Sequence, residues 1–302
     1  MSKKINLSVT LATFNEEENI GRCLESVKDF VDEIVVVDGG STDMTVEVAK
    51  RYGAKVVVTE NPRMFHINKN KANELAKGVW ILQLDADEVV SPELGEEIRI
   101  VMIRNPKSEI RNSKQVQNSN FKFQNDKENL FLRHQGAVEA RHGKIGTDEG
   151  NVVAYFIPRR NYFLGKFLKY GGTYPDGAIR LFKKGYARLP EKDLHEIYEI
   201  KGKVKWLNAP LFHFDSPTFE RYLERNNRYS SRFAQELKDA NVPLNFLNYT
   251  NYMFVKPVWL FLKIYFRHKG FCDGFPGLVW AMYSALTWRA AWVKYWEKKR
   301  FN

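Results

Sequence analysis

Cysteine is scarce in this chain of 302 residues, with Cys23 and Cys272 the only two. Two thiols this far apart make neither a disulfide framework nor a metal-ligand pattern, so disulfide-stapled folds and cysteine-ligated metal centres are excluded. Long apolar runs are missing as well. No stretch reaches the ~20 uninterrupted apolar residues of a spanning helix. The best approach to one, residues 277–293, is broken by Arg289. Residues 1–6 are polar and lead directly into an apolar segment, without the apolar core of a signal peptide. There is no internal repeat and no nucleic-acid motif, so nucleic acid is not an expected partner. A reducing cytoplasm is the simplest compartment, and "lies on" a membrane suits the chain better than "spans" it.

What is present is an ordinary globular composition, 44% hydrophobic and 27% charged, enough for one large α/β domain with an appendage. The formal net charge is +11 and it is unevenly spread. Residues 253–302 hold nine Lys or Arg against Asp273 and Glu297, a balance of +7. The same stretch holds five of the seven tryptophans: Trp259, Trp280, Trp288, Trp292 and Trp296. Trp favours the headgroup layer and Lys or Arg pair with lipid phosphate, so this segment fits the inner, anionic face of a membrane. The competing account is a solvated basic face over an aromatic core.

Along the chain, residues 7–12, 34–37, 56–58 and 79–84 are short apolar runs of strand type. Helical patterns separate them, with Ile20, Leu24 and Val27 on one stripe of the first. Ser91 and Pro92 read as the cap and first residue of a further helix. Alternating strand and helix predicts a mostly parallel sheet flanked by helices, with ligands beyond the carboxyl ends of the strands. Carboxylates stand at those ends: Asn15-Glu16, Asp38 and Asp85-Ala86-Asp87. Two aspartates at i, i+2 past a buried strand suit Mg²⁺ or Mn²⁺, which take carboxylate oxygens together with substrate phosphates. For D-x-D alone the competing reading is a solvated acidic turn. Asp38, before Gly39-Gly40-Ser41, either accepts bonds from a nucleoside or only caps the turn. Asn15 and Glu16 can read a base edge or ribose hydroxyls, and capping by Asn15 is compatible with that binding.

In order and spacing, Thr13-Phe14-Asn15-Glu16, Val36-Val37-Asp38-Gly39-Gly40-Ser41-Thr42-Asp43, Lys69-Asn70, Ala76-Lys77-Gly78 and Asp85-Ala86-Asp87 resemble the family 2 glycosyltransferases of the nucleotide-sugar (GT-A) fold. Gly171-Gly172-Thr173-Tyr174-Pro175-Asp176, Arg180-Leu181-Phe182, Leu194-His195-Glu196 and Pro210-Leu211-Phe212-His213 look like the lipopolysaccharide inner-core glucosyltransferases within it. The resemblance implies an inverting transferase with a UDP-sugar donor, glucose by default, and a glycan or lipid-linked acceptor. Thr13, Asn15, Glu16, Asp38, Lys69, Asn70, Asp85 and Arg180 then belong to the donor site, with Asp85 near the ribose or the metal. Asp87 binds the metal, and His195 is a further candidate ligand. Asp176 is the expected base and Glu196 the alternative. Arg159 and Arg160 are candidates to neutralise an anionic substrate. His213, flanked by Leu211, Phe212 and Phe214, reads as a core histidine.

The expected layout is a donor half over residues 1–103, a polar insertion over 104–150, mostly loop or poorly ordered with Asn129 to Val138 the candidate for a short element, an acceptor half over 151–242 and a basic helical membrane-surface segment over 243–302. Two other functions compete. A sugar nucleotidyltransferase would carry a basic Gly-rich loop after the first strand, where this chain has Thr13-Phe14-Asn15-Glu16. A non-catalytic membrane scaffold would not need Asp87 or Asp176.

Overall fold

The computed structural model describes residues 6–62, 64–103, 121–191 and 197–301. The chain divides into two compact units, one of Met1–Arg159 with Pro175–His213, the other of Arg160–Tyr174 with Phe214–Asn302.

The first unit opens as the sequence predicts. β1 (Leu7–Thr13), α1 (Glu17–Glu25), β2 (Glu33–Asp38), α2 (Thr45–Arg51), β3 (Lys55–Val58), α3 (His66–Leu75), β4 (Trp80–Gln83), β5 (Glu88–Val90) and α4 (Pro92–Ile103) follow one another. β2 is buried at every position, which is why it reads as an unbroken apolar run rather than an alternating one. α1 buries Ile20, Cys23 and Leu24 and keeps Glu17 and Glu18 in its first turn, where the helix dipole favours them. Ser91 caps α4, its Oγ accepting from the Leu94 amide at 3.2 Å. Gly78 has a packing reason: a Cβ there would lie 2.6 Å from the Ser8 backbone nitrogen. It lets the chain after α3 press against β1 before β4 begins.

Then come α5 (Phe121–His142), β6 (Thr147–Phe163), β7 (Lys166–Phe167), β8 (Gly177–Lys183), β9 (Ala187–Arg188), β10 (Glu199–Ile200), β11 (Lys203–Trp206) and β12 (Leu211–Ser216). The sheet runs β3-β2-β1-β4-β8-β6. β1, β2, β3 and β4 are parallel, whereas β8 is antiparallel to both β4 and β6. The sheet is therefore mixed, parallel only through its first half. β12 pairs antiparallel with β5, His213 opposite Glu88. One apolar cluster gathers Leu11, Leu24, Val36, Leu82 and Leu94; a second gathers Ile81, Phe156, Ile179, Phe182 and Tyr198.

The expectation of a loop over 104–150 needs correcting where the structure describes it. Residues 121–142 are helical and β6 starts at Thr147; residues 104–120 lie outside the described residues. The inner stripe of α5 is Phe131, His134, Gln135 and Val138, at i, i+3, i+4 and i+7. Two of those four are polar, so the apolar periodicity that announces a helix is diluted. Their burial comes from a distant partner, Trp206, stacked on Phe131 at 4.6 Å between centroids.

The second unit contains α6 (Phe219–Asp239), α7 (Phe246–Thr250), α8 (Lys256–Leu262) and α9 (Phe275–Phe301). Single π-helical turns, Asn251–Val255 and Lys263–Arg267, flank α8. Thr218 caps α6 through the Arg221 amide. Its cores are aromatic: Tyr252, Trp292 and Tyr295 in one, Phe163, Leu168 and Tyr222 in the other. Among the described residues no helix is long and apolar enough to cross a membrane.

Candidate active site

The parallel strands β1, β2 and β4 end at one edge, and the residues just past β1 and β4 open a cleft of about 310 Å³. Thr13, Phe14 and Glu16 line it from the β1 end, Asn61, Phe65, Asn68 and Lys69 from α3 and the loop before it. Asp85, Ala86 and Asp87 line it from the β4 end, and His213 closes the set from β12. The short polar turn after β4 has no room for a helix before β5, so both aspartates stay at the strand end.

The two aspartates have different surroundings. Asp85 Oδ1 is 2.5 Å from Lys69 Nζ, and its Oδ2 is paired with the Arg180 guanidinium. Burial would raise its proton affinity, but Arg180 and Lys69 outweigh that and hold it well below the ordinary carboxylate range. Asp85 is thus a partner for two side-chain cations, Lys69 and Arg180. Asp87 lies in the cleft with Oδ2 3.6 Å from His213 Nε2. Burial, then the negative charges of Asp85, Glu88 and Glu16, push it up to about 7.

Behind the D-x-D turn runs a buried chain of alternating charge. Glu88, fully buried, accepts from Arg180 Nε at 3.2 Å and NH2 at 2.8 Å, and lies 3.5 Å from Arg159 NH1. Arg180 NH1 donates to Gln83 Oε1 at 2.6 Å. Arg159 reaches onward to Asp176, its NH2 3.0 Å from Oδ2. The order is Lys69, Asp85, Arg180, Glu88, Arg159, Asp176. Each charge is flanked by its opposite, which is the condition for burying charges at all.

The other sequence candidates fall into four groups. Thr13, Glu16 and Lys69 line the cleft. Asp38, Asn15 and Asn70 are occupied in building it. Asp38 is fully buried and accepts from Thr13 Oγ1, Ser41 Oγ and the Gly40 and Ser41 amides. Its carboxylate holds the turn after β2. Asn15, in the left-handed region at φ 53°, accepts from the Thr42 amide and ties the β1 turn to the β2 turn. Asn70 clamps residues 189–191, donating to Leu189 O and Glu191 Oε1 and accepting from the Leu189 amide. Arg180 sits behind the D-x-D turn rather than on the cleft wall, and Asp176 is likewise outside the lining. His195 and Glu196 lie outside the described residues.

His213 is the residue the sequence reading misplaced. It lines the cleft beside Asp87, although its aromatic and aliphatic neighbours in sequence look like core. β12 alternates its faces, so a histidine between two phenylalanines points away from both. Burial, then the nearby Arg159 charge, drop its pKa to about 3, so its imidazole is neutral and able to ligate. Among the described residues no group of three His, Cys, Asp or Glu converges on one point. Mg²⁺ and Mn²⁺ sites do not require one, because substrate phosphates and water commonly complete them. One carboxylate and one neutral imidazole 3.6 Å apart fit such a cation.

Residues 8–146 match the family model described as Glycosyl transferase family 2. An uncharacterized glycosyltransferase of Rickettsia felis is 28% identical over 282 residues, 93% of this chain and 86% of its own length. The lipopolysaccharide core biosynthesis glycosyltransferase LpsC of Rhizobium meliloti is 25% identical over 304 residues, 94% of this chain and 92% of its own. Among solved structures, glucosyl-3-phosphoglycerate synthase from Mycobacterium tuberculosis overlaps 28% of this chain and 34% of that one, at 27% identity and a TM-score of 0.26. That likeness is confined to the share it covers.

Proposed function

Residues 8–146 form a glycosyltransferase family 2 domain on a GT-A fold and the chain is a glycosyltransferase; from that premise we propose an inverting, metal-dependent hexosyl transfer from a nucleoside-diphosphate sugar to a cell-envelope acceptor. The observation that carries it is Asp87 beside His213 in a cleft whose other walls are Thr13, Glu16 and Lys69. Asp87 and His213 would hold the cation, and the imidazole favours Mn²⁺ over the harder Mg²⁺. When bound, the cation offsets the charge of the leaving diphosphate. Lys69, fixed by Asp85, places a second positive charge on the same wall. Thr13 and Glu16 are positioned to take the nucleoside.

Inversion is a single displacement: the acceptor oxygen bonds to the anomeric carbon as the bond to diphosphate breaks, and the acceptor proton passes to a carboxylate. Asp176 is our choice for that base. Arg159 NH2, 3.0 Å from Oδ2, pairs with its carboxylate and fixes its position. UDP-glucose is the donor to try first, and similarity to LpsC along the chain supports a lipopolysaccharide-core or lipid-linked acceptor.

The acceptor side of this reading includes peripheral attachment to the inner face of the cytoplasmic membrane. Val255, Val258, Trp259, Leu262 and Phe266 recur at helical spacing around α8 and all are about half exposed. Lys263 stands 4.8 Å over the Trp259 ring. An exposed apolar stripe edged by lysine is the pattern of a helix lying in the headgroup layer.

The test is nucleotide release from UDP-, GDP-, TDP- and ADP-sugars with Mn²⁺, Mg²⁺ or chelator. Metal-dependent release from one donor, abolished in Asp87→Ala, is the expected result. Silence across the panel together with no metal-dependent nucleotide binding by calorimetry would overturn the reading in favour of a non-catalytic scaffold.

A further inference from the structure

The turn Pro175-Asp176-Gly177 is held at every residue. Arg159 donates its amide to Pro175 O at 3.0 Å and its Nε to Asp176 O at 3.2 Å, besides pairing with the Asp176 carboxylate. The third hold comes from α5. The Gly177 amide donates to His134 Nε2 at 3.1 Å. These holds matter because Asp176 sits at φ 29°, in the left-handed region that a non-glycine residue leaves readily when released. Gly177 is itself constrained, since a Cβ there would stand 2.1 Å from the Trp206 ring.

Trp206 is the floor of this arrangement. It is sandwiched between Phe131 at 4.6 Å and Phe156 at 4.7 Å, both nearly parallel to it. Its indole N–H donates to Gln135 Oε1 at 3.1 Å. The His134 ring meets Trp206 edge-on at 5.8 Å. Phe131 and Gln135 therefore fix α5 against β11, and His134, one helical turn from Phe131, is delivered to Gly177. An acceptor at Nε2 means that His134 is neutral and carries its proton on Nδ1. Burial lowers its proton affinity, in keeping with that state, while Asp176 raises it and Arg159 and Arg141 lower it.

We propose that His134 is a positioning residue for Asp176: by accepting the Gly177 amide it holds the strained turn so that the Asp176 carboxylate stays aimed at the acceptor hydroxyl. The polar segment that carries α5 thereby acts on the acceptor side of the reaction. The inference rests on the reading of Asp176 as the base. Protonating His134 removes the acceptor and releases the turn, so turnover falls on the acid side as His134 takes up its proton.

The experiment uses the full chain with UDP-glucose and Mn²⁺, and compares His134→Phe, which keeps a ring but no acceptor, with His134→Gln, which keeps an acceptor. His134→Phe is expected to lower kcat roughly 10- to 100-fold with KM for UDP-glucose changed less than about twofold, the size of effect a small misplacement of a reacting group produces. His134→Gln should recover most of kcat and lose the part of the acid limb that follows His134, leaving the part set by the ionisation of the Asp176 base. A His134→Phe enzyme with wild-type kcat, or a His134→Gln enzyme as slow as His134→Phe, overturns the proposal. A second readout needs no turnover. Imidazole ¹⁵N shifts should report the Nδ1–H tautomer of His134, and the Gly177 amide proton should titrate with it; an amide indifferent to that titration and to His134→Phe also overturns it. Asp176→Asn separates the two ideas. If it retains wild-type kcat, the base reading fails; if it is inactive while His134→Phe is normal, only the His134 inference fails.

Discussion

Two aspartates two residues apart end with opposite proton affinities, and the difference lies in what the fold brings to each. Asp85 meets Lys69 and Arg180; Asp87 meets the charges of Asp85, Glu88 and Glu16 in a buried setting. Because Asp87 is raised to about 7 in the folded protein, its contribution to stability is full below the unfolded carboxylate pKa and is lost as pH rises through about 7. Asp87→Asn should therefore raise the Tm of metal-free protein. The gain should be absent near pH ~4, grow between there and pH ~7, and then level off. Adding Mn²⁺ should reverse the ranking, since only the carboxylate gains from the cation; thermal scans with and without Mn²⁺ check both signs. Arg180 makes a different prediction. Arg180→Met leaves Glu88 buried without its closest cation, and breaking such a pair costs about 3–5 kcal/mol, read from urea unfolding. Pairing it with Glu88→Gln should return part of that loss, which a purely steric effect of the methionine would not.

At the scale of elements, the strands and helices that carry their own signal were legible. β2 is four consecutive apolar, β-branched positions, Ile34 to Val37, ending in Asp38, and α1 buries Ile20 and Leu24 of the stripe visible in the sequence. α5 was legible only as a short element over Asn129 to Val138, because half of its inner stripe is polar and its anchor, Trp206, lies far along the chain. Phe131→Ala should cost ~3 kcal/mol, typical of deleting a buried ring, and should shift Trp206 fluorescence toward that of a wetter indole. A flexible insertion would show neither change. β12 was a related blind spot: Leu211, Phe212 and Phe214 marked it as core, yet alternation along the strand sends His213 to the cleft.

For the molecule as a whole, charge and exposed apolar surface carry the proposed attachment to a membrane. The excess of +7 over residues 253–302 shares a segment with the exposed stripe from Val255 to Phe266. Vesicles rich in phosphatidylserine should retain the protein and neutral vesicles should not. Charge reversal at Lys256, Lys263 and Arg267 should abolish flotation at low salt, where the Debye length is long. Retention unchanged by either manipulation would leave the segment a plain solvated helix. Trp259→Ser with Phe266→Ser tests the apolar share of the same contact.

The sequence by itself determined the alternating first half of the sheet, the carboxylates at its strand ends and the family motifs, because these depend on residues near one another in the chain. Composition also located the basic, Trp-rich segment. Only the tertiary structure decided which partners each candidate meets. Asp38, Asn15 and Asn70 are drawn into turns and clamps, Asp85 is taken by Lys69 and Arg180, and His213 and His134 are brought to Asp87 and to the Asp176 turn. Those outcomes hinge on partners between 2 and 126 positions away, and on which of a side chain's possible partners lies closest once the chain has packed. No local pattern encodes that competition; it is settled by the geometry that buries the charges together.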